Sequence, residues 1–472
     1  MSAVSVNKDR TPKLENELRI YSDAPHAVPC VSIRDRHSAG LEEVCPKVTP
    51  TVLIAATSRW FPTARLAMAL ANAGCVVEAV CPHGHPLSKV RAVRRIHIYS
   101  GLAPLFSLAN GIANSSPDMV IPGDDLCTRH LHHLYRRELK RGPKGAAICN
   151  LIVRSFGSPE SFPIVYERAT FMRLAKEEGV RTPKTAVINS LDDLRRWITE
   201  FGFPTVLKAD GTSGGDGVRM VRTFDEATTA FHKLQAPPLF ARAAKRALVD
   251  SDKTLLWPSL LRHQSQVSAQ TLITGHEATS TVACWQGTVL AGLHFEVVNK
   301  KYAAGPATVM RLLDNVEMTS AVEKVVRRLN LSGTHGFDFM LEASSGAAYL
   351  IEINPRITQV AHLTLGSGRD LPAALTAALL GSNLQPSPRV TENDIITLFP
   401  QEWMRDPQSL FIQSGYHDVP WGEPELIRAC IRHALNNNQS KPRKRREQAA
   451  APNSADSFPA LIKPELNKTH HE

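Results

Sequence analysis

The sequence predicts a mixed fold, α/β near its N-terminus and α+β beyond, with polar segments at both ends. Three observations lead there. At 472 residues the chain is too long for one ordinary core, and about 150 residues per domain suggests about three packed units. Short apolar runs at 51–57, 75–80 and 118–122 alternate with stretches of helical period, the pattern of a small doubly wound, Rossmann-like sheet. Farther on, strand-like runs carry a glycine-rich stretch and a pair of alternating acidic segments.

Taken in order, residues 1–48 mix charges, prolines and serines without an apolar h-region, and read as a flexible leader, not a secretory signal. The α/β unit is expected over 49–150. Its strand at 51–57 leads through Pro62 into a helical stretch at 64–73 closed by Gly74, and the next strand covers 75–80. A strand at 118–122 hands over through Gly123, Asp124 and Asp125 to a polar helix ending near Lys140. At that handover an N-cap and a ligand contact fit the two aspartates equally well.

A larger unit is expected over 151–395. It opens with a helix at 166–178 stopped by Gly179, then an extended piece from Val180 to Pro183. Ser190 and Asp193 form a capping box with aspartate in place of the usual glutamate. Phe203-Pro204 breaks the pattern, and the strand carrying Lys208 follows. Further strand-like runs lie at 270–273, 279–284 and 289–298, and an alanine-rich helix at 371–380. Residues 396–435 read as a C-terminal extension packing on the core, with Pro424 in the first turn of its last helix. The remainder, 436–472, contains Lys441-Pro-Arg-Lys-Arg-Arg446 and reads as a disordered, solvated basic tail for which nucleic-acid contact is not expected.

Hydrophobic residues make up 43% of the chain, and no apolar run approaches the ~20 residues of a membrane-spanning helix. The formal charge of +10 suits a protein that handles anionic ligands. Eight cysteines occur without a Cys-x-x-Cys spacing, which fits free thiols in a reducing cytoplasm. His83 and His85, and His130, His132 and His133, lack a third ligand at a recognisable metal spacing and read as solvated.

The chemistry concentrates in two stretches. Thr205-Val-Leu-Lys-Ala-Asp-Gly-Thr-Ser-Gly-Gly-Asp-Gly-Val218 ends a strand with Lys208 and continues into a loop whose glycines let successive backbone N–H groups approach an anion. It is neither a Walker loop nor a dinucleotide fingerprint, and alone it is also the composition of an ordinary hairpin turn. In the second stretch, Asp338 alternates with large apolar residues in Phe337-Asp-Phe-Met-Leu341, and Glu352 and Asn354 alternate with isoleucines in Ile351-Glu-Ile-Asn354. A hairpin symmetric about Ser345 puts Asp338 opposite Glu352. Like charges directly opposed on a sheet are destabilising, and a hard cation such as Mg²⁺ or Mn²⁺ resolves the conflict with these oxygen ligands. A register slip of one residue would separate the carboxylates onto opposite faces.

With these residues in place the sequence resembles the ATP-grasp superfamily over about 166–380. It has a lysine-ended strand, a glycine-rich lid, a hinge similar to Gln-x-x-Ile-x-Gly-x-Glu at Gln270-Thr-Leu-Ile-Thr-Gly-His-Glu277, and a terminal Asp…Glu-Ile-Asn-Pro-Arg pattern. The resemblance implies a two-lobed ATP-grasp fold, with the N-terminal unit as the pre-ATP-grasp domain. It implies that Lys208 contacts the nucleotide, that Gly211, Thr212, Ser213, Gly214, Gly215, Gly217 and Val218 cover the triphosphate, and that Gln270, Thr271, Leu272 and Ile273 hold adenine mainly through backbone groups, with Glu277 close by. Asp338, Glu352 and Asn354 match the metal positions, and Arg356 the arginine beside the transferred phosphoryl group. An ion pair of Arg356 with Glu352 or a neighbouring acid is the lesser alternative, and Glu277 equally fits a pair with a lysine.

The hinge departs from many relatives by having Gln270 and Thr271 where an acidic residue is common. Glu296, Lys300 and 305–309 are expected between hinge and metal strands, as loop or substrate contact. The implied activity is an ATP- and Mg²⁺-dependent ligase, a carbon–nitrogen bond-forming enzyme that joins a small carboxylate to an amine through an acyl phosphate. Formation of carbamoyl or carboxyl phosphate, and a nucleotide-binding regulator without turnover, are the alternatives. A homodimer is compatible with either.

Overall fold

The computed structural model describes residues 49–210, 217–236, 265–302, 305–383 and 388–439. The leader at 1–48, Gly211, Thr212, Ser213, Gly214 and Gly215 of the glycine loop, and the tail from 440 lie outside the described residues.

The N-terminal part is a parallel four-stranded sheet in the order β3-β2-β1-β4. Its elements are β1 (Thr51–Ala55), α1 (Phe61–Asn72), β2 (Val76–Cys81), β3 (Val93–Ile98), α2 (Pro104–Ser115), β4 (Met119–Pro122), α3 (Asp125–Leu139) and α4 (Ala146–Phe156). Near-continuous apolar runs such as Val52, Leu53 and Ile54 form its strands because helices cover both faces. β3, α2 and α4 were not legible in the sequence pattern. Two of the histidines expected in solvent, His85 and His132, are buried. His85 accepts a hydrogen bond from the Leu87 amide, and His132 stacks on Phe162. No group of three or more potential metal ligands occurs among the described residues.

The chain then forms α5 (Arg168–Glu177), β5 (Thr185–Ile188), α6 (Leu191–Phe201), β6 (Thr205–Ala209), β7 (Val218–Val221), α7 (Phe224–Gln235) and β8 (Val267–Thr271). The strands make an antiparallel sheet in the order β5-β8-β6-β7. α6 and α7 cover one face of it, burying Leu194, Trp197, Leu207 and Phe231 in a core of their own. The expected capping box starts α6: the Ser190 hydroxyl accepts from the Asp193 amide, and the Asp193 carboxylate accepts from the Ser190 amide.

A seven-stranded sheet follows, in the order β13-β12-β9-β10-β11-β14-β15. Its strands are β9 (Gly275–Trp285), β10 (Thr288–Lys300), β11 (Ala307–Leu312), β12 (Gly333–Glu342), β13 (Ala348–Asn354), β14 (Ile395–Leu398) and β15 (Tyr416–Asp418). Helices α8 (Val316–Arg328) and α9 (Leu371–Leu380) pack on opposite faces, and α10 (Gln401–Arg405), α11 (Leu410–Ser414) and α12 (Pro424–Gln439) are the last helices of the described residues. The last helix runs to Gln439, past the expected start of the tail. Glu296, Lys300 and 307–309 are strand residues of β10 and β11, not the loop that the sequence suggested.

Candidate active site

The β12–β13 hairpin separates its two faces sharply. Phe337, Phe339, Leu350 and Ile353 are buried against α5 and α8, each contributing about 1.5–3 kcal/mol on burial. Asp338, Glu352 and Asn354 share the other face. Asp338 stands directly opposite Glu352, and repulsion between like charges so placed opposes pairing by only about 0.2–1 kcal/mol. The apolar face therefore holds the hairpin closed against the repulsion on its reverse.

The expected pairing is reached by an unexpected route. From the turn, Leu341 pairs with Ala348, Met340 with Tyr349 and Phe339 with Leu350, so regular alternation would set Ile351 opposite Asp338 and turn Glu352 into the core. A bulge at Ile351 shifts the register by one and brings Glu352 round to Asp338.

A dense polar network surrounds this pair. Thr279, opposite Asp338 on β9, donates its hydroxyl to Asp338 Oδ1 at 2.9 Å. Asn354 Nδ2 donates to Asp338 Oδ2 at 2.9 Å. Arg168, the first residue of α5, reaches Glu352 at 3.0 Å and Asp210 at 3.2 Å. Burial, reinforced by Glu352, lifts Asp338 to about 7. Burial pushes Glu352 in the same direction, but Arg168 and Lys208 prevail and hold it below the ordinary carboxylate value. Burial, aided by Arg168, lowers Lys208 to about 8, against the pull of Glu352 and Asp338. Two facing carboxylates with an amide beside them are a donor set that suits a hard divalent cation. Asp338, Glu352 and Asn354 are the residues that would hold it.

Lys208 is 6% exposed and lies on β6, where it pairs with Val218 and with Ser268 of β8. The stem of the glycine loop is closed by the Ala209 amide donating to the Gly217 carbonyl at 2.9 Å. Asp210, immediately before the loop, is the residue Arg168 ties to Glu352. Arg168 and Asp210 were missed in the sequence. An arginine opening a helix carries no local signal, and its role depends on contacts 42 and 184 residues away.

The segment read as a hinge divides between a strand and a link. Gln270 and Thr271 belong to β8, laddered between β5 and β6, with the Gln270 amide donating to Thr185 at 3.1 Å. Leu272 and Ile273 lie beyond the strand, in the link to β9. Glu277 is paired with Lys300 at 2.7 Å, and Glu296 with Arg311 at 3.1 Å.

Arg356 pairs neither with Glu352 nor with any acid of its own hairpin. Its Nε meets Asp125 at 3.1 Å, Nη1 the Ile357 carbonyl at 3.0 Å and Nη2 the Asn354 amide oxygen at 3.3 Å, while Cζ lies 5.1 Å from the Trp60 ring centroid. The two aspartates differ in their partners. Asp124 is the N-cap of α3, accepting from Cys127 at 2.9 Å and from the Thr57 amide at 2.7 Å. Asp125 faces the acidic hairpin. A cavity of about 260 Å³ is lined by His294, Thr319 and Arg369. His294 pairs with Ser280, which is opposite Phe337, so the cavity belongs to the face of the sheet away from Asp338 and holds none of the acidic hairpin's side chains.

Comparison with known proteins adds an independent line. The family model for the carbamoyl-phosphate synthase L chain, ATP binding domain, matches residues 167–374. The chain is 23% identical over 227 residues to the carbamoyl phosphate synthase large chain of Kocuria rhizophila, covering 48% of this chain and 19% of that one. Against the Deinococcus radiodurans large chain it is 24% identical over 242 residues, covering 49% and 22%. The chain therefore spans about a fifth of the length of these curated relatives. Among solved structures, N5-carboxyaminoimidazole ribonucleotide synthetase bound to ADP superposes with TM-score 0.54 at 13% identity, covering 83% of this chain and 99% of that one. Biotin carboxylase of Campylobacter jejuni superposes with TM-score 0.52 at 13% identity, covering 72% of each. The biotin carboxylase domain dimer of 2-oxoglutarate carboxylase from Hydrogenobacter thermophilus, with MgADP and bicarbonate, gives 0.50 at 17%, covering 72% and 71%.

Proposed function

Because residues 167–374 belong to the ATP-grasp family represented by the ATP-binding domain of the carbamoyl-phosphate synthase L chain, we propose that this protein is an ATP- and Mg²⁺-dependent ligase that activates a carboxylate as an acyl phosphate for attack by an amine. The observation that carries this reading is the facing pair Asp338 and Glu352, with Lys208 and Arg168 arranged around it. ATP would lie between the β5–β8 sheet and the acidic hairpin, its phosphates near Lys208 and the stem at Gly217 and Val218. Mg²⁺ bound to Asp338, Glu352 and Asn354 would neutralise phosphate charge, as in phosphoryl transfer generally.

The chain's own residues position and neutralise. Lys208, buried and cationic at neutral pH, balances the phosphates against Glu352. Arg168 fixes the Glu352 carboxylate and ties it to the start of the glycine loop through Asp210. In the first step a carboxylate oxygen of the substrate bonds to the γ-phosphorus, and the bond to the β-phosphate oxygen breaks with its electron pair leaving on ADP. In the second step an amine bonds to the acyl carbon, phosphate leaves, and the amine loses a proton. Neither step needs a protein nucleophile. The dimer named for one solved neighbour makes a homodimer the assembly to test first.

Bicarbonate as the carboxylate is the second reading, favoured by the match to a carbamoyl-phosphate synthase domain. One assay separates the two. Hydroxylamine captures acyl phosphates as hydroxamates, so MgATP, hydroxylamine and a panel of acetate, succinate, aspartate, glutamate and citrate should give ADP and a hydroxamate with the preferred member, whereas bicarbonate, whose carboxyphosphate collapses to carbon dioxide and phosphate, should give bicarbonate-dependent ADP release without a hydroxamate. Lys208→Ala and Glu352→Ala should each lower that rate by about a hundredfold or more, the size seen when a preorganised electrostatic group is removed. Unchanged turnover and ATP affinity in both variants would rule the site out.

A further inference from the structure

Three cations gather at the acidic hairpin and are committed, and a fourth stands on α3 beside Tyr166. Lys208 is buried beside Glu352, Arg168 bridges Asp210 and Glu352, and Arg356 has its nitrogens engaged by Asp125, Ile357 and Asn354. Arg129 differs. It lies on α3 one turn after Asp125, so the two share a helix face. Its Cζ is 5.0 Å from the ring centroid of Tyr166, two residues before Arg168, and it makes no ion pair with a carboxylate among the described residues. Its contact with Tyr166 places it beside the segment that leads into Arg168, on the helix face that carries Asp125.

The topology gives this arginine a place to act. The order β3-β2-β1-β4 reverses between β1 and β4, and in open α/β sheets ligands bind in the crevice outside the carboxyl ends of the strands at that reversal. α3 begins where β4 ends, and Trp60 lies on the link from β1 to α1. Arg356 enters the same crevice from the hairpin, between Asp125 and Trp60. A guanidinium lying against an aromatic ring keeps its N–H edges available for a planar anion, the geometry for bidentate carboxylate contact.

We propose that the crevice between the β1 and β4 ends seats the carboxylate substrate, with Arg129 as the residue that grips and orients it toward the hairpin. The proposal rests on the ligase reading. The same chemistry would serve a nucleotide phosphate, so the test separates the two anions. In full-length protein, Arg129→Gln should raise the KM for the preferred carboxylate of the hydroxylamine panel about tenfold or more, the loss expected for one charged hydrogen-bonded contact. The Kd for a non-hydrolysable MgATP analogue, measured by calorimetry, should stay within about twofold, and Arg129→Lys should recover part of the KM.

Wild-type protein gives a readout that needs no variant. The preferred carboxylate should protect Arg129 from phenylglyoxal, mapped by mass spectrometry, and the nucleotide analogue alone should not. A weakened analogue Kd with unchanged carboxylate KM, or protection by the nucleotide alone, overturns the assignment in favour of a phosphate contact. An unchanged KM and Kd together overturn it outright. Absence of both hydroxamate and carboxylate-dependent ADP release, with every member of the panel and with bicarbonate, in wild-type protein defeats the ligase reading itself, a result distinct from either.

Discussion

Asp338 titrates as an acid held in the wrong environment. Its ordinary value lies near 4, and in the fold it is raised to about 7 by burial and by Glu352. Between these values the folded protein binds more protons than the unfolded chain, so this group's contribution makes stability fall as pH rises from about 4 to about 7. Asp338→Asn removes the contribution. The stability advantage of that variant over wild type should therefore grow across this interval and level off above it, as read from melting temperatures of unliganded protein at a series of pH values. A constant difference at all pH would contradict the assignment. The same proton competes with Mg²⁺, and Mg²⁺ affinity in the presence of the nucleotide analogue should strengthen as pH is raised through about 7, while Asp338→Asn should bind Mg²⁺ weakly throughout.

At the scale of the element, the β12–β13 hairpin shows what a sequence reveals and what it hides. Alternation of Phe337 and Phe339 with Asp338, and of isoleucines with Glu352 and Asn354, was readable because a two-residue period follows from strand geometry alone. The Asp338–Glu352 pairing was readable from hairpin symmetry about Ser345. The bulge that produces it was not, since nothing in Leu350-Ile-Glu-Ile353 marks which residue will be extra. Arg168, Asp210 and Trp60 were hidden for a different reason: each acts through a contact distant in sequence, and local pattern has no access to those.

Gly336 tests the hairpin directly. It faces Asn354, and a Cβ there would come within 2.6 Å of Thr358 Cγ2 and 3.4 Å of Asn354 Cβ. Gly336→Ala should lower stability by about 1–3 kcal/mol, as overpacking does, and weaken Mg²⁺-dependent nucleotide binding without altering any charge. Urea unfolding and calorimetry measure the two effects, and wild-type values for both would show that Asn354 is not held by this contact.

At the scale of the whole molecule, the cores are shared unequally. One core joins Val52, Ile54 and Met119 of the N-terminal sheet to Leu293, Phe295 and Met310 of the large sheet and to Leu371 and Leu375 of α9. The β5–β8 sheet has a separate core formed with α6 and α7. An element with its own core can open apart from the rest, and closure on a nucleotide would tie it to the hairpin through Lys208 and Arg168. Amide hydrogen exchange over 185–209 and 267–271 should slow when the MgATP analogue binds, more than exchange in the N-terminal strands 51–55 and 119–122. Equal slowing in both regions would show that the sheets respond as one unit.

The hold of Asp125 on Arg356 has an implication for how such a chain can change over time. One cation is supported by the first turn of a helix in the N-terminal sheet and by the end of a hairpin more than two hundred residues later, so neither segment is interchangeable by itself. A recombinant that received its first 150 residues from a relative would keep the contact only if that segment also placed a carboxylate where Asp125 stands. Recombination at that boundary therefore tests the two segments as a pair, and a stable exchange would have to carry both halves of the contact.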